Sequence, residues 1–269
     1  MQPTVPQIRF EVPADDARQL HLVIDNPGAR NGLTAQSCVE LATHLDRASA
    51  DPAVRCVIVR GAGDHFCAGA DLRAGGATLR GTDDEIRSYI TDGFHAVIRA
   101  LAACQKPTLA VIRGACVGFG FDMALSCDLR IAASNATFGQ VFSKIGLVPD
   151  GGSSFVLPRL VGLGKALELF YLAEKFDGQT AAAMGLVNRA VAPEELGALA
   201  ADWSGRLASG PPIAYRLGKA NLRAGAAGGE LAAALAREVD AQAICLRSKD
   251  ALIGVGAFFM KQTPKFEGK

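Results

Sequence analysis

Lys106–Ala133, KPTLAVIRGACVGFGFDMALSCDLRIAA, holds two near-continuous apolar runs, Thr108–Ile112 and Leu129–Ala133, separated by small and apolar residues. Short apolar runs rich in Val, Ile and Leu read as strands buried on both faces. Between them, Ala115–Asp122 reads as a glycine-rich loop and Met123–Asp128 as a short helix. Strand, helix and strand within one stretch is an α/β unit.

The same order extends upstream. VRCVIVRG (54–61) is another buried strand, followed by the loop GDHFCAGADL (63–72) and the helix TDDEIRSYITDGFHAVIRALAAC (82–104), which carries acidic residues in its first turn. Further back, IRFEV (8–12) and QLHLVID (19–25) form a hairpin across Pro13–Asp16. NPGARNGL (26–33) is a loop, and Thr34 caps a helix with Cys38, Leu41 and Leu45 on one face. Downstream, ATFGQ (136–140) is a strand. From about Pro158 the reading contains helices only. It divides the chain into a core, 1–205, and a helical region, 206–269. In the latter, Leu231, Leu235, Val239 and Ile244 recur near helical spacing, so this stripe is expected to be partly buried against the core or another subunit.

Composition narrows the function. The chain has 269 residues, a net charge of +1 and 6% aromatics. With Lys and Arg dispersed, it lacks the basic footprint and stacking surface of a nucleic-acid binder, and the polybasic patch of a membrane binder. Seven cysteines and four histidines occur without CxxC pairs or metal-ligand spacing. Buried free thiols in a reducing compartment are expected, and no metal. The N-terminus does not read as a signal peptide, so the expected location is the cytoplasm.

Two loops follow buried strands, where α/β proteins place ligands. One is Cys67–Leu72; the other is Gly114–Asp122. A backbone N–H from each can converge on one oxygen and stabilise negative charge there. A third segment, FSKIGLVPDGGSS (142–154), brings one carboxylate, Asp150, to the end of an apolar run. Two readings of Asp150 stand: a solvated turn residue, or an acid/base group in an apolar pocket that raises its pKa. Gly118-Phe119-Gly120 lacks a dinucleotide fingerprint, GLGKA (162–166) is not a P-loop, and no GxSxG elbow exists.

NPGARNGL, FCAGADL, the opening stretch, ATFGQVFSKIGLVPDGGSS, LPRLVG, AAAMGLVNRAV and AFFMKQTPKFEGK occur in one order along the chain. In these the sequence resembles the enoyl-CoA hydratase/isomerase (crotonase) family over nearly its whole length, and most closely its phenylacetate-pathway enoyl-CoA and epoxyacyl-CoA isomerases. The resemblance implies an α/β spiral of ββα turns with a C-terminal helical trimerisation region. It implies an acyl-CoA substrate, coenzyme A being part of the substrate rather than a separate cofactor. It also implies a homotrimer or dimer of trimers.

By the same resemblance, the N–H groups of Ala70 and Phe119 hold the thioester oxygen. The hydratase acids map onto Asp122 and Phe142, and Phe142 cannot handle a proton. Asp150 matches the single acid of the isomerases. Arg30, Ala68, Ala70, Asp71, Leu72, Arg73, Phe258 and Lys261 are the expected coenzyme A contacts, and Asp128 is structural. The implied activity is isomerisation of an enoyl-CoA, or opening of a ring epoxide, through an enolate. A hydratase using Asp122 and Asp150, a dehalogenation with Asp150 as nucleophile, and a non-catalytic acyl-CoA or RNA binder are the alternatives. Pocket shape is expected to depend on loops 75–81 and 138–142.

Overall fold

The computed structural model describes residues 6–74, 76 and 80–269. Strands β1 (Gln7–Glu11), β2 (Gln19–Asp25), β3 (Cys56–Gly61), β4 (Thr108–Ile112), β6 (Leu129–Ala133) and β9 (Arg189–Val191) form one sheet in that spatial order. Only the β1–β2 pair is antiparallel; the other pairs are parallel. Val57, Ile58, Val59, Leu109, Ala110 and Ile112 are all buried, as continuous apolar runs in a covered parallel sheet must be.

A second, smaller sheet contains β5 (Ala115–Val117), β7 (Thr137–Gly139) and β8 (Phe176–Asp177), in the order β5-β7-β8. Isolated parallel bridges, Leu33 with Ala70 and Cys67 with Cys116, continue this layer. Each turn of the chain therefore places one long strand in the outer sheet, a short extended segment in the inner layer, and then a helix. β3, 67–70 and the 83–103 helix make one turn; β4, β5 and α4 (Phe119–Ser126) make the next; β6, β7 and α5 (Ser153–Leu172) make a third. This is the spiral of ββα turns, built by repetition of geometry without repetition of sequence.

Thr34 caps α1 (Ala35–Ala50) in a capping box with Ser37, and Cys38, Leu41 and Leu45 are buried beneath it. The helix read over 82–104 is three segments. α2 (Asp83–Ser88), capped by Thr82 and Glu85, passes through a π-helical turn, Tyr89–Phe94, into α3 (His95–Ala103).

Two expectations are corrected. Ala115–Asp122 is not a loop: β5 and the first turn of α4 occupy it, because Cys116 pairs in the inner layer and Phe119 and Phe121 are buried. Strands do not stop at Pro158, which lies inside α5; β8 and β9 follow, and β9 closes the edge of the large sheet. Of the two partners expected for the Leu231–Ile244 stripe, the core of its own chain does not cover it, and another subunit remains the expectation. The stripe lies on α9 (Leu231–Leu246), with Leu231 74%, Leu235 51% and Val239 67% exposed.

α6 (Gly178–Ala183) leads into β9, and α7 (Leu196–Ser209), which runs through position 206, packs on β2, β3, β4 and β6. α8 (Pro212–Ala227) is tied to the core by charge: Lys219 and Arg223 reach Asp128 at 2.6 and 2.8 Å. Asp128 also accepts from the Thr108 backbone N–H at 2.8 Å, which gives it the structural part expected of it. α10 (Lys249–Met260) ends the helices. No described helix is long and apolar enough to cross a membrane.

Candidate active site

Ala70 and Phe119 stand at matching places in successive turns, each just beyond an inner-layer extended segment. Leu33 donates to the Gly69 carbonyl at 2.8 Å, and Asp71 donates to the Leu33 carbonyl at 2.7 Å. In a parallel bridge this leaves the intervening Ala70 N–H aimed the other way. Phe119 is the first residue of α4, and first-turn N–H groups have no intrahelical acceptor. Neither N–H is used in a backbone hydrogen bond among the described residues. The segments meet through Gly69, whose φ of +98° is left-handed, and whose hydrogen faces the Val117 carbonyl.

Both residues line a cleft of about 570 Å³ together with Asp150. One wall is aromatic: Tyr89 meets Phe94 edge-on at 5.5 Å between centroids, and Phe94 meets Phe119 at 4.9 Å. Ile86, Ile90, Leu147, Val148 and Phe142 extend the apolar lining. Phe142 begins a 3-10 turn, Phe142–Ile145, and is buried. The position onto which the resemblance maps the second hydratase acid is therefore apolar wall.

Asp150 is half-buried, and its Oδ1 is buried without a hydrogen-bond partner among the described residues. Burial pushes its pKa above the ordinary carboxylate value, while nearby His95 pulls the other way. His95 Nε2 lies 2.7 Å from the Asp150 backbone oxygen. A carbonyl only accepts, so Nε2 carries the proton in this contact.

Asp122 is 1% exposed and does not line the cleft. Its Oδ1 accepts from Gln140 Nε2 at 3.0 Å and its Oδ2 from the Gly151 N–H at 2.9 Å. Gln140 Nε2 also donates to Ser153 Oγ at 2.7 Å, whereas Gln140 Oε1 is buried and has no partner among the described residues. Burial raises the Asp122 pKa to about 6, against the lowering pull of the Gln140, Ser153 and Gly151 hydrogen bonds.

Of the expected coenzyme A contacts, Ala68, Ala70, Asp71 and Leu72 line the cleft. Arg30, Arg73, Phe258 and Lys261 do not line it within this chain. The Arg30 carbonyl accepts the Ala68 N–H at 2.9 Å, so its backbone braces the segment while its side chain is exposed. Arg73 is 73% exposed and lies 3.4 Å from Asp71. Phe258 and Lys261 sit at the end of α10. In the loop expected to shape the pocket, residues 75 and 77–79 lie outside the described residues.

Sequence reasoning missed His95, the aromatic pair Tyr89 and Phe94, and two cleft-lining cations, Lys144 and Lys175. His95 carries no local signal: the residue it touches is 55 positions away. Tyr89 and Phe94 were legible only as amphipathic helix. No group of His, Cys, Asp and Glu among the described residues could hold a metal ion.

A family profile described as Enoyl-CoA hydratase/isomerase matches residues 19–269. The chain is 36% identical over 250 residues to the crotonyl-CoA hydratase of Syntrophomonas wolfei, covering 92% of this chain and 94% of that one. It is 32% identical over 248 residues to the 1,2-epoxyphenylacetyl-CoA isomerase of Escherichia coli, with the same coverage of each, 92% and 94%. The crystal structure of an enoyl-CoA hydratase from Polaromonas sp. JS666 superposes with a TM-score of 0.90 at 31% identity, covering 98% of this chain and 100% of that one. The spiral, the cleft and the match along nearly the full length agree: the chain belongs to the enoyl-CoA hydratase/isomerase family, and is an enzyme of the crotonase superfamily.

Proposed function

We propose that the chain is an acyl-CoA isomerase that moves a double bond, or opens a ring epoxide, through a thioester enolate. The observation that carries this reading is one unengaged carboxylate on the cleft: of the two acids in its lining, Asp71 accepts from the Arg73 N–H at 3.0 Å, while Asp150 Oδ1 has no hydrogen-bond partner among the described residues. Phe142 replaces the second acid, and Asp122 is sealed behind the cleft. Hydration needs one group to activate water and another to protonate carbon, and with Asp71 engaged by Arg73 the lining offers one free carboxylate.

In the isomerisation, the Asp150 carboxylate removes the proton α to the thioester. Negative charge moves to the thioester oxygen, where the Ala70 and Phe119 N–H groups receive it. Protonated Asp150 then returns the proton at the γ carbon. The positive end of α4 reinforces the Phe119 donor. One such donor is worth about 2.7–4 kcal/mol, so placement of substrate and base must supply much of the remaining acceleration. The apolar wall excludes water that would otherwise compete with Asp150 for the enolate.

Coenzyme A runs along Ala68–Leu72 in this reading. Lys144 and Lys175 at the cleft, and Arg30 and Arg73 beyond it, supply positive charge for its phosphates. Phe258 and Lys261 reach coenzyme A from a neighbouring subunit of a homotrimer or dimer of trimers, assembled through 206–269.

The test is a screen of 2-enoyl- and 3-enoyl-CoA esters, following both hydration and isomerisation, with wild type and Asp150→Asn. Isomerisation should dominate, and the variant should lose ~10²–10⁴-fold in kcat with KM little changed. Dominant hydration of 2-enoyl-CoA, with equal losses from Asp150→Asn and Asp122→Asn, overturns the isomerase in favour of the hydratase.

A further inference from the structure

The peptide unit joining Asp150 to Gly151 is held at both ends. Its oxygen accepts from His95 Nε2 at 2.7 Å, and its N–H donates to Asp122 Oδ2 at 2.9 Å. The holders come from different turns of the spiral, α3 and α4. Asp122 lies one helical turn beyond Phe119, so α4 carries both an oxyanion donor and a grip on the segment that bears the base. The fit is tight: a Cβ at Gly151 would lie 2.5 Å from Asp122 Cβ and 3.0 Å from Phe119 Cδ2.

Gly152 ties the C-terminal side of this peptide to α5 by accepting from Phe155 and Val156 at 3.0 and 3.1 Å, but its N-terminal side has little else to hold it. Ile145, Leu147 and Val148 are exposed, and Gly146 and Gly152 have left-handed φ values of +72° and +87°. A segment of that kind, ending in a carboxylate with an unpaired buried oxygen, has little of its own to fix where the carboxylate points.

We propose that His95 and Asp122 are a pair of positioning residues that clamp the 150–151 peptide and aim the Asp150 carboxylate at the substrate α carbon. This rests on Asp150 being the base. Asp122 thus serves the reaction through a backbone N–H and not by exchanging protons with substrate.

Conservative and disruptive substitutions separate the roles. Asp122→Asn still offers an oxygen to the Gly151 N–H. Its new amide N–H₂ can face Gln140 once that side chain flips and presents its unpaired Oε1. Asp122→Ala offers nothing. His95→Gln keeps an N–H near the position of Nε2; His95→Leu does not.

Isomerisation of a 3-enoyl-CoA is measured for all four variants and Asp150→Asn, with hexanoyl-CoA affinity as the check on fold and binding. Expected is a kcat loss of about 10²-fold for Asp122→Ala and His95→Leu, the scale of a 1 Å misplacement, with hexanoyl-CoA affinity kept. Asp122→Asn and His95→Gln should stay within about tenfold of wild type. Asp122→Asn as damaging as Asp122→Ala overturns the clamp and makes Asp122 a proton carrier. His95→Leu at wild-type kcat, with Asp150→Asn disabled, overturns the clamp and leaves the base standing. Asp150→Asn at wild-type kcat removes the base assignment and the clamp together.

Discussion

Gly69 and Phe119 approach so closely that a Cβ added to the glycine would lie 3.4 Å from the Phe119 backbone nitrogen and 3.0 Å from the Val117 carbonyl oxygen. Two turns of the spiral thus meet backbone to backbone where the two proposed donors converge. Gly69→Ala combines a strained φ with this contact and pushes the donors apart. Losing one donor typically costs ~10²–10³-fold in kcat. Steady-state isomerisation with the variant should show a loss approaching that range. An unchanged kcat would put the oxyanion somewhere other than between Ala70 and Phe119.

The pH profile follows from the direction of the Asp150 shift. Burial raises its pKa, with His95 opposing, and the base works only when ionised. Activity should be full above the raised value and fall as pH drops through it. The acid limb of kcat/KM should therefore lie above about 3.9, the ordinary aspartate value. Rates measured from about pH 4 to 8 would show it. A limb at the ordinary value would mean the working carboxylate is not desolvated.

Asp122 should make the folded protein less stable as pH rises. Its pKa goes up from 3.8 unfolded to about 6 folded. Between these values the native state binds the proton that the unfolded state has released, so unfolding free energy falls with rising pH. The fall is complete above about 6. A shift of roughly two units corresponds to on the order of 3 kcal/mol. Urea unfolding of Asp122→Asn should lack this slope between about pH 4 and 6, and the variant should exceed wild type in stability at pH 8. Parallel curves for the two proteins would contradict it.

Assembly is the fourth expectation. Leu231, Leu235 and Val239 are exposed on α9, and Phe258 and Phe259 are 78% and 77% exposed on α10. Each large apolar side chain fully removed from water stabilises by about 1.5–3 kcal/mol, so a subunit interface here is strongly favoured. Sedimentation should give a trimer or a multiple of it, and Leu235→Glu should shift the mass towards the monomer. A stable wild-type monomer at about micromolar concentration would leave this face unexplained.

The sheet was legible in the sequence because parallel strands buried on both faces are written as unbroken apolar runs, as in Cys56–Val59 and Leu109–Ile112. β8 and β9 were not legible. Phe176–Asp177 and Arg189–Val191 are too short to show a period, and they become strands only because β7 and β6 already offer an edge. Phe119–Asp122 looked like a loop because Gly118 and Gly120 are poor helix formers, yet packing of Phe119 and Phe121 overrides propensity. At the site, Ala70, Phe119 and Asp150 share one cleft as expected. What was hidden depends on long-range contacts: His95 against Asp150, and Asp122 turned away from the cleft onto Gly151.

The π-helical turn at Tyr89–Phe94 changes what variation along one helix can do. Its extra residue resets the register, so that Ile86 before it and Tyr89 and Ile90 in its first part look into the cleft while Val97, Ala100 and Leu101 after it lie in the core. His95, the first residue beyond the turn, belongs to the anchored half. Exchanges at 86 or 90 can therefore retune which acyl chains are accepted and leave the geometry around Asp150, the proposed base, untouched. Deleting a single residue such as Thr91 would instead let the turn close as ordinary α-helix and remove that reset.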